Sequence, residues 1–271
     1  MSIIPQHFLN AVVPVGIRTR TSITWVGTGF FVSRKTDNDG NVRPFLVTNK
    51  HVVKGQKNIV IRMKRKQDSE LKDIDAPLEN VTGAIYKLHK DSSIDVAVIP
   101  LNGKFIVDNN LDFPAFDIDS NAMTSSELRE NGVDEGSLVH MLGFPMRLVN
   151  ANSMLPICRL GCVARMSEEQ IKEQHSFLVD IQNFPGNSGS PIILRPDLMS
   201  IVGTKNLINC VLMGIIHSYI PYKETLINAQ TQEPVEIRSE NSGLANAHPV
   251  YKIRSMTTQS HGQKSSRFFG A

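Results

Sequence analysis

The chain has 271 residues, enough for one large domain or two small ones with a core that needs no disulfide or metal staple. Charged residues make up 20% and hydrophobic residues 41%, with a formal net charge of +3, so composition marks neither a disordered chain nor a nucleic-acid binder. The longest apolar runs fall far short of the roughly 20 residues that a membrane span requires, and no membrane partner is expected.

Residues 1–16 carry no basic segment ahead of their apolar residues. Pro5, Gln6, His7 and Asn10 interrupt any signal-peptide core. Short strand-like runs follow at 12–17, 25–33, 45–48, 58–62 and 96–101, rich in β-branched and aromatic residues with turn signals between them. The cluster Asp37-Asn38-Asp39-Gly40-Asn41 reads as a hairpin connection. A polar, helix-tolerant stretch covers 120–131. Strand-like runs resume at 138–143, 155–165, 177–181, 192–194 and 211–219, with one more expected around 248–253. A second helix is expected over 168–174. Many short strands predict an all-β sandwich or barrel, and the break near 117–135 divides it into two β units, 1–119 and 120–254. Residues 255–271, rich in Ser, Thr, Gln and Gly, read as a mobile tail.

The cysteines, Cys158, Cys162 and Cys210, are odd in number and sparse, which points to a reducing, cytoplasmic compartment rather than a disulfide framework. No second Cys or His pair stands at ligand spacing from Cys158 and Cys162, so structural thiols are expected and no metal.

Chemistry concentrates at Gly186-Asn187-Ser188-Gly189-Ser190-Pro191, which runs into the apolar Ile192-Ile193-Leu194. A serine between two glycines can be an ordinary turn. It can equally present a hydroxyl to a substrate, with the N–H groups of Gly186 and Ser188 aimed at one carbonyl oxygen, as an acyl-transfer intermediate requires. A serine nucleophile needs a base. His51 ends the strand-like run Phe45-Leu46-Val47-Thr48 after the polar Asn49-Lys50, which places an imidazole at the rim of a barrel. The base needs an orienting carboxylate. Asp95, at the lip of Val96-Ala97-Val98-Ile99, suits that role better than its competitor Asp91, one turn earlier.

Together these residues resemble the trypsin-like, chymotrypsin-fold serine peptidases. The resemblance is carried by residues 27–32, by Val47-Thr48-Asn49-Lys50-His51-Val52-Val53, by Asp95-Val96-Ala97-Val98 and by the Ser188 hexapeptide, and it spans roughly residues 10–254. The order His51, Asp95, Ser188 belongs to that class and not to subtilisins or α/β-hydrolases. The resemblance implies two six-stranded antiparallel β-barrels with the site in the cleft between them. It makes Ser188 the nucleophile, His51 the general acid and base, Asp95 the orienting carboxylate, and Gly186 and Ser188 the oxyanion hole. The activity implied is peptide-bond hydrolysis through an acyl-enzyme on a protein or peptide substrate, with no cofactor.

The digestive members pair a freed N-terminal amine with an Asp beside the nucleophile. Asn187 stands there instead, as in the bacterial HtrA-type and glutamyl-endopeptidase-type branches, so no such activation is expected. Too little chain follows Ser188 for the peptide-binding domain that HtrA enzymes add. Gln182, six residues before Ser188, replaces the carboxylate of trypsin-like pockets, and Asn183 and Phe184 follow. His217 and Tyr219 on one wall and Gly243 on the other complete the expected pocket. His217 would favour an acidic substrate side chain, hydrogen-bond Asp95 or be structural. Tyr219 would narrow the pocket toward small or medium apolar side chains. The basic run Arg62-Met63-Lys64-Arg65-Lys66 lacks aromatic residues and is followed by Asp68, Glu70 and Asp73, so a solvated loop is expected rather than a nucleic-acid contact. Besides an active endopeptidase, a binding module on the same fold and a peptidase kept latent until an activating partner binds both remain open.

Overall fold

The computed structural model describes residues 3–36, 41–81, 83–196, 207 and 209–258. Its strands are β1 (Val12–Arg18), β2 (Ile23–Lys35), β3 (Val42–Thr48), β4 (Asn58–Lys64), β5 (Leu71–Pro77), β6 (Glu79–Asn80), β7 (Gly83–Ala84), β8 (Lys87–Leu88), β9 (Ala97–Pro100), β10 (Phe116–Asp117), β11 (Leu138–Gly143), β12 (Ile157–Arg165), β13 (Phe177–Asp180), β14 (Pro191–Leu194), β15 (Leu212–Ile227) and β16 (Pro234–Pro249). The helices are short: α1 (Gln6–Asn10), α2 (Lys50–Val53), α3 (Gly103–Asp108), α4 (Ser125–Glu130), α5 (Glu168–Gln174) and α6 (Val250–Thr257).

The apolar run in β2 divides by strand alternation. Phe31 faces a cluster with Val13, Leu46, Ile61, Ala76 and Ile99, so β1 to β5 and β9 all point into one interior. Those six strands lie in the order β5-β4-β1-β2-β3-β9, with β8 beyond β9 and β10 running parallel to β2. Among the described residues no pairing joins β5 to β8 or β9, and side chains rather than hydrogen bonds close this first barrel. The second is closed by hydrogen bonds in the order β11-β12-β13-β16-β15-β14, around Met141, Val163, Val179, Ile192, Met213 and Ala245. Phe30, Val32 and Val98 use their other face to meet Leu142, Phe144, Ile193, Leu212 and Ile215 of the second barrel in a third cluster. The expected all-β, two-barrel architecture is therefore present.

Helix α5 covers the expected 168–174, started by Ser167 Oγ accepting the Gln170 N–H. Helix α4 falls within 120–131 and opens on a capping box between Thr124 and Glu127. Strands β2 and β3 pair as far as Lys35 and Val42, but residues 37–40 of the expected hairpin lie outside the described residues. The expected strand at 248–253 is corrected: β16 stops at Pro249 and α6 begins. Val250, Ile253, Met256 and Thr257 bury one helical face, and the Arg254 guanidinium donates to the Ile118 and Ala122 carbonyls. Residues 255–257 of the expected tail are therefore helical, and residues 259–271 lie outside the described residues. Strands β15 and β16 also run past the barrel as a paired ribbon, where Tyr222 and Ile237 are exposed.

Candidate active site

Strand β3 delivers buried Thr48 and Asn49 to the barrel rim, and α2 follows at once. Val52 and Val53 hold that single turn to the core, while the His51 side chain remains half exposed. His51 thus sits on a helical turn directly after the strand. Asn49 Nδ2 donates to the Asp95 carbonyl at 2.7 Å, the His51 main-chain N–H donates to Asp95 Oδ1 at 2.9 Å, and His51 Nδ1 lies 2.5 Å from Asp95 Oδ2. The carboxylate is therefore locked against both the backbone and the ring of His51. Asp91 is used elsewhere: its Oδ1 accepts from the Ser93 N–H and hydroxyl, and Oδ2 lies 3.5 Å from His175 Nε2. Burial by itself would raise the Asp95 carboxyl. The hydrogen bonds and charge of His51 outweigh it and hold the group below the usual carboxylate range.

Two imidazoles back Asp95. Its N–H donates to His248 Nε2 at 2.9 Å, and His248 Nδ1–H donates to the His175 carbonyl at 2.8 Å, which fixes the His248 tautomer. His217 stacks on His248 with centroids 3.9 Å apart, and its Nε2 lies 2.9 Å from Ser176 Oγ. Burial, then the neighbouring His248, pushes His217 down to about 3, and burial also lowers His248. Both rings are neutral near pH 7. Sequence reasoning missed His248, because its position read only as the start of a strand.

The loop carrying Ser188 is pinned peptide by peptide. The N–H groups of Asn187, Gly189 and Ser190 donate to Phe184, Ile216 and Asn187 carbonyls at 3.0, 3.1 and 2.8 Å. Those of Gly186 and Ser188 meet no acceptor among the described residues. The carbonyls on the same two peptides are held, Pro185 O by the Met146 N–H at 2.6 Å and Asn187 O by Ser190. In a trans peptide C=O and N–H point oppositely, so the two free N–H groups are directed away from these anchors. Gly186 has φ +100°, and a methyl group on it would lie 2.4 Å from the Phe144 carbonyl, so no other residue fits there. Gly27 leaves room for both neighbours: a methyl on it would lie 2.9 Å from Val52 and 3.2 Å from the Ser188 carbonyl. The bare backbone of β2 lets α2 and the Ser188 loop approach from two sides.

Of the pocket residues, Asn183 Nδ2 donates to the Ser218 carbonyl at 3.2 Å and Asn241 Nδ2 to the Asn183 carbonyl at 2.5 Å. A methyl on Gly243 would lie 3.7 Å from both Gln182 Nε2 and Asp180 Oδ1. The structure thus brings Gln182, Asn183 and Gly243 together, with partly exposed Tyr219 next to Ser218. It adds Asp180, which counting back from Ser188 did not reveal. His217 is placed instead with His248 and Ser176, behind Asp95. The basic run at 62–66 is not the expected solvated loop: 62–64 belong to β4, where Met63 is buried and Arg62 contacts Asp73 and lies over Trp25, while Arg65 meets Asp68 and Glu70. Among the described residues no cluster of His, Cys, Asp or Glu is arranged to hold a metal ion.

The Asn187 side chain is buried, and neither its Nδ2 nor its Oδ1 has a hydrogen-bond partner among the described residues. An aspartate there would be an unpaired buried carboxylate. Asn187→Asp is expected to destabilise the fold by about 3–5 kcal/mol at pH 7. Its folded-state pKa would be raised, so the penalty shrinks as pH falls toward the unfolded value of about 3.9. Urea unfolding at pH 7 and pH 4.5 checks this, and equal stability to wild type at pH 7 would refute it.

A family model for the trypsin-like peptidase domain matches residues 27–197, and the chain belongs to that family. No curated protein matches it in sequence. Among solved structures, the apo MamO protease domain from Magnetospirillum magneticum aligns with a TM-score of 0.46 and 14% identity, over 93% of this chain and 98% of that one. The protease Anisep from Arthrobacter nicotinovorans aligns with a TM-score of 0.46 and 12% identity, over 92% and 94%.

Proposed function

We propose that the chain is a serine endopeptidase that hydrolyses peptide bonds through an acyl-enzyme on Ser188. Ser188 Oγ attacks the substrate carbonyl while His51 Nε2 takes its proton, and Asp95 holds the ring with Nδ1–H inward. The oxyanion settles on the N–H groups of Gly186 and Ser188. The amine leaves with the proton from His51, and water then repeats the sequence on the ester. The single observation that carries this reading is the pair of free N–H groups flanking a serine, on peptides whose carbonyls are anchored. A latent or purely binding form would need that loop collapsed, and the anchors of Pro185 and Asn187 weigh against it.

Asn187 in place of an aspartate supports a place near the HtrA-type or glutamyl-endopeptidase-type branch, with no amine-triggered activation. Gln182 and Asn183 support a preference other than that of trypsin. The unpaired Cys158, Cys162 and Cys210 are in keeping with a reducing bacterial cytoplasm. A fluorophosphonate probe is expected to label the wild-type protein on Ser188, located by mass spectrometry of the adduct. Peptide-library profiling under the same conditions should give a defined cleavage preference. A wild-type protein that neither labels nor cleaves would overturn the reading.

A further inference from the structure

Thr28 lies in the first barrel, yet three of its contacts are in the second. It is completely buried. Its Oγ1 donates to the Gly186 carbonyl at 2.7 Å and accepts the Phe144 N–H at 3.1 Å. Its main-chain N–H donates to the Ser188 carbonyl at 2.9 Å, and its carbonyl accepts Thr48 Oγ1 at 2.7 Å. Thr48 is buried as well, so every polar group of Thr28 is satisfied within the protein.

The hydroxyl matters because of what Gly186 is. Glycine turns freely about both of its backbone bonds, so the two peptides that meet at Gly186 must each be held from outside. The peptide before it is held by Met146 on the Pro185 carbonyl. The peptide after it is held by Thr28 Oγ1 on the Gly186 carbonyl, with the Asn187 N–H on Phe184. A single side chain from the opposite barrel thus restrains Gly186 and, through Phe144, the segment leading to Met146. We infer that Thr28 is the positioning residue of the oxyanion site: its hydroxyl couples the two barrels and keeps the Gly186 N–H directed at the developing oxyanion. This rests on the serine-peptidase reading above.

Thr28→Val keeps the shape and removes the hydroxyl, leaving the Gly186 carbonyl and the Phe144 N–H buried without a partner. Because the donor is loosened rather than deleted, kcat is expected to fall between about 10-fold and 100-fold, with KM within about twofold. The rate of fluorophosphonate labelling should fall in parallel. Thr28→Ser and Thr28→Ala differ from each other by the hydroxyl alone, and this pair decides the matter if the valine variant does not fold. The serine variant is expected to keep kcat within about threefold of wild type and the alanine variant to fall with valine. Thermal unfolding of each variant separates loss of fold from loss of rate. A valine variant that labels as fast as wild type, or a serine variant that falls as far as alanine, overturns the inference while the peptidase reading stands. A wild-type protein that does not label overturns that reading, and the inference with it.

Discussion

Replacing His51 or Ser188 by alanine is expected to lower kcat for peptide cleavage by about 10⁶-fold, and replacing both to lower it no further. The hydroxyl is a weak nucleophile whose proton must leave as the bond forms. Without the imidazole that proton has no acceptor, and without the hydroxyl the imidazole has nothing to activate. Each group is therefore worth nearly the whole effect, and the losses do not add. A residual acceleration of about 10³ over water is expected to survive, because the N–H groups of Gly186 and Ser188 do not depend on either side chain. Fold is expected to survive too. The His51 side chain is half exposed, and α2 is anchored by Val52 and Val53 rather than by the ring. Steady-state kinetics on a fluorogenic peptide, with thermal unfolding as control, test this. A His51→Ala protein that keeps kcat within about tenfold of wild type would remove His51 from the mechanism.

The parts of this protein legible in its sequence are those whose neighbours lie close along the chain. β-Branched and aromatic residues between turn signals marked β1 to β4, and the stretch 168–174 was readable as α5, because such signals are local. The basic run misled for the same reason: Asp68, Glu70 and Asp73 nearby suggested a solvated loop, whereas 62–64 are the end of β4. Strand β5 was hidden: Lys72, Asp73 and Asp75 break its apolar pattern. It pairs along the length of β4, where Arg62 binds Asp73, and Arg18 of β1 reaches across to Asp75. The outer halves of β15 and β16 were hidden for a related reason, since both ribbon faces meet solvent and no alternation is imposed. At the site, the order and surroundings of His51, Asp95 and Ser188 could be read because each stands at a strand or turn boundary. What holds them could not. His248 reaches Asp95 across 153 positions, and Thr28 reaches Gly186 across 158. No local pattern encodes such contacts, and only the closed barrels bring them together.

Asp95→Asn is expected to lower kcat by about 10⁴-fold while leaving the fold nearly unchanged. The asymmetry follows from which Asp95 contacts an amide can replace. The His51 main-chain N–H donates to Oδ1, and an amide oxygen accepts it equally well. The backbone of Asp95 is held independently, by His248 on its N–H and by Asn49 on its carbonyl, so the residue stays in place. The second contact fails. Once the amide oxygen serves the His51 N–H, the NH₂ group faces His51 Nδ1, whose N–H the carboxylate had accepted as a hydrogen bond. Two donors cannot face each other, so the ring must carry its proton on Nε2 instead. That proton then points toward Ser188, and the imidazole can no longer accept the hydroxyl proton. The imidazolium formed during reaction also loses its counter-charge. His248 and His217 supply none, because both rings are buried and neutral. The measurement is kcat for the purified variant beside its unfolding midpoint. A loss of less than about tenfold with the fold intact would show that Asp95 does not set the tautomer of His51.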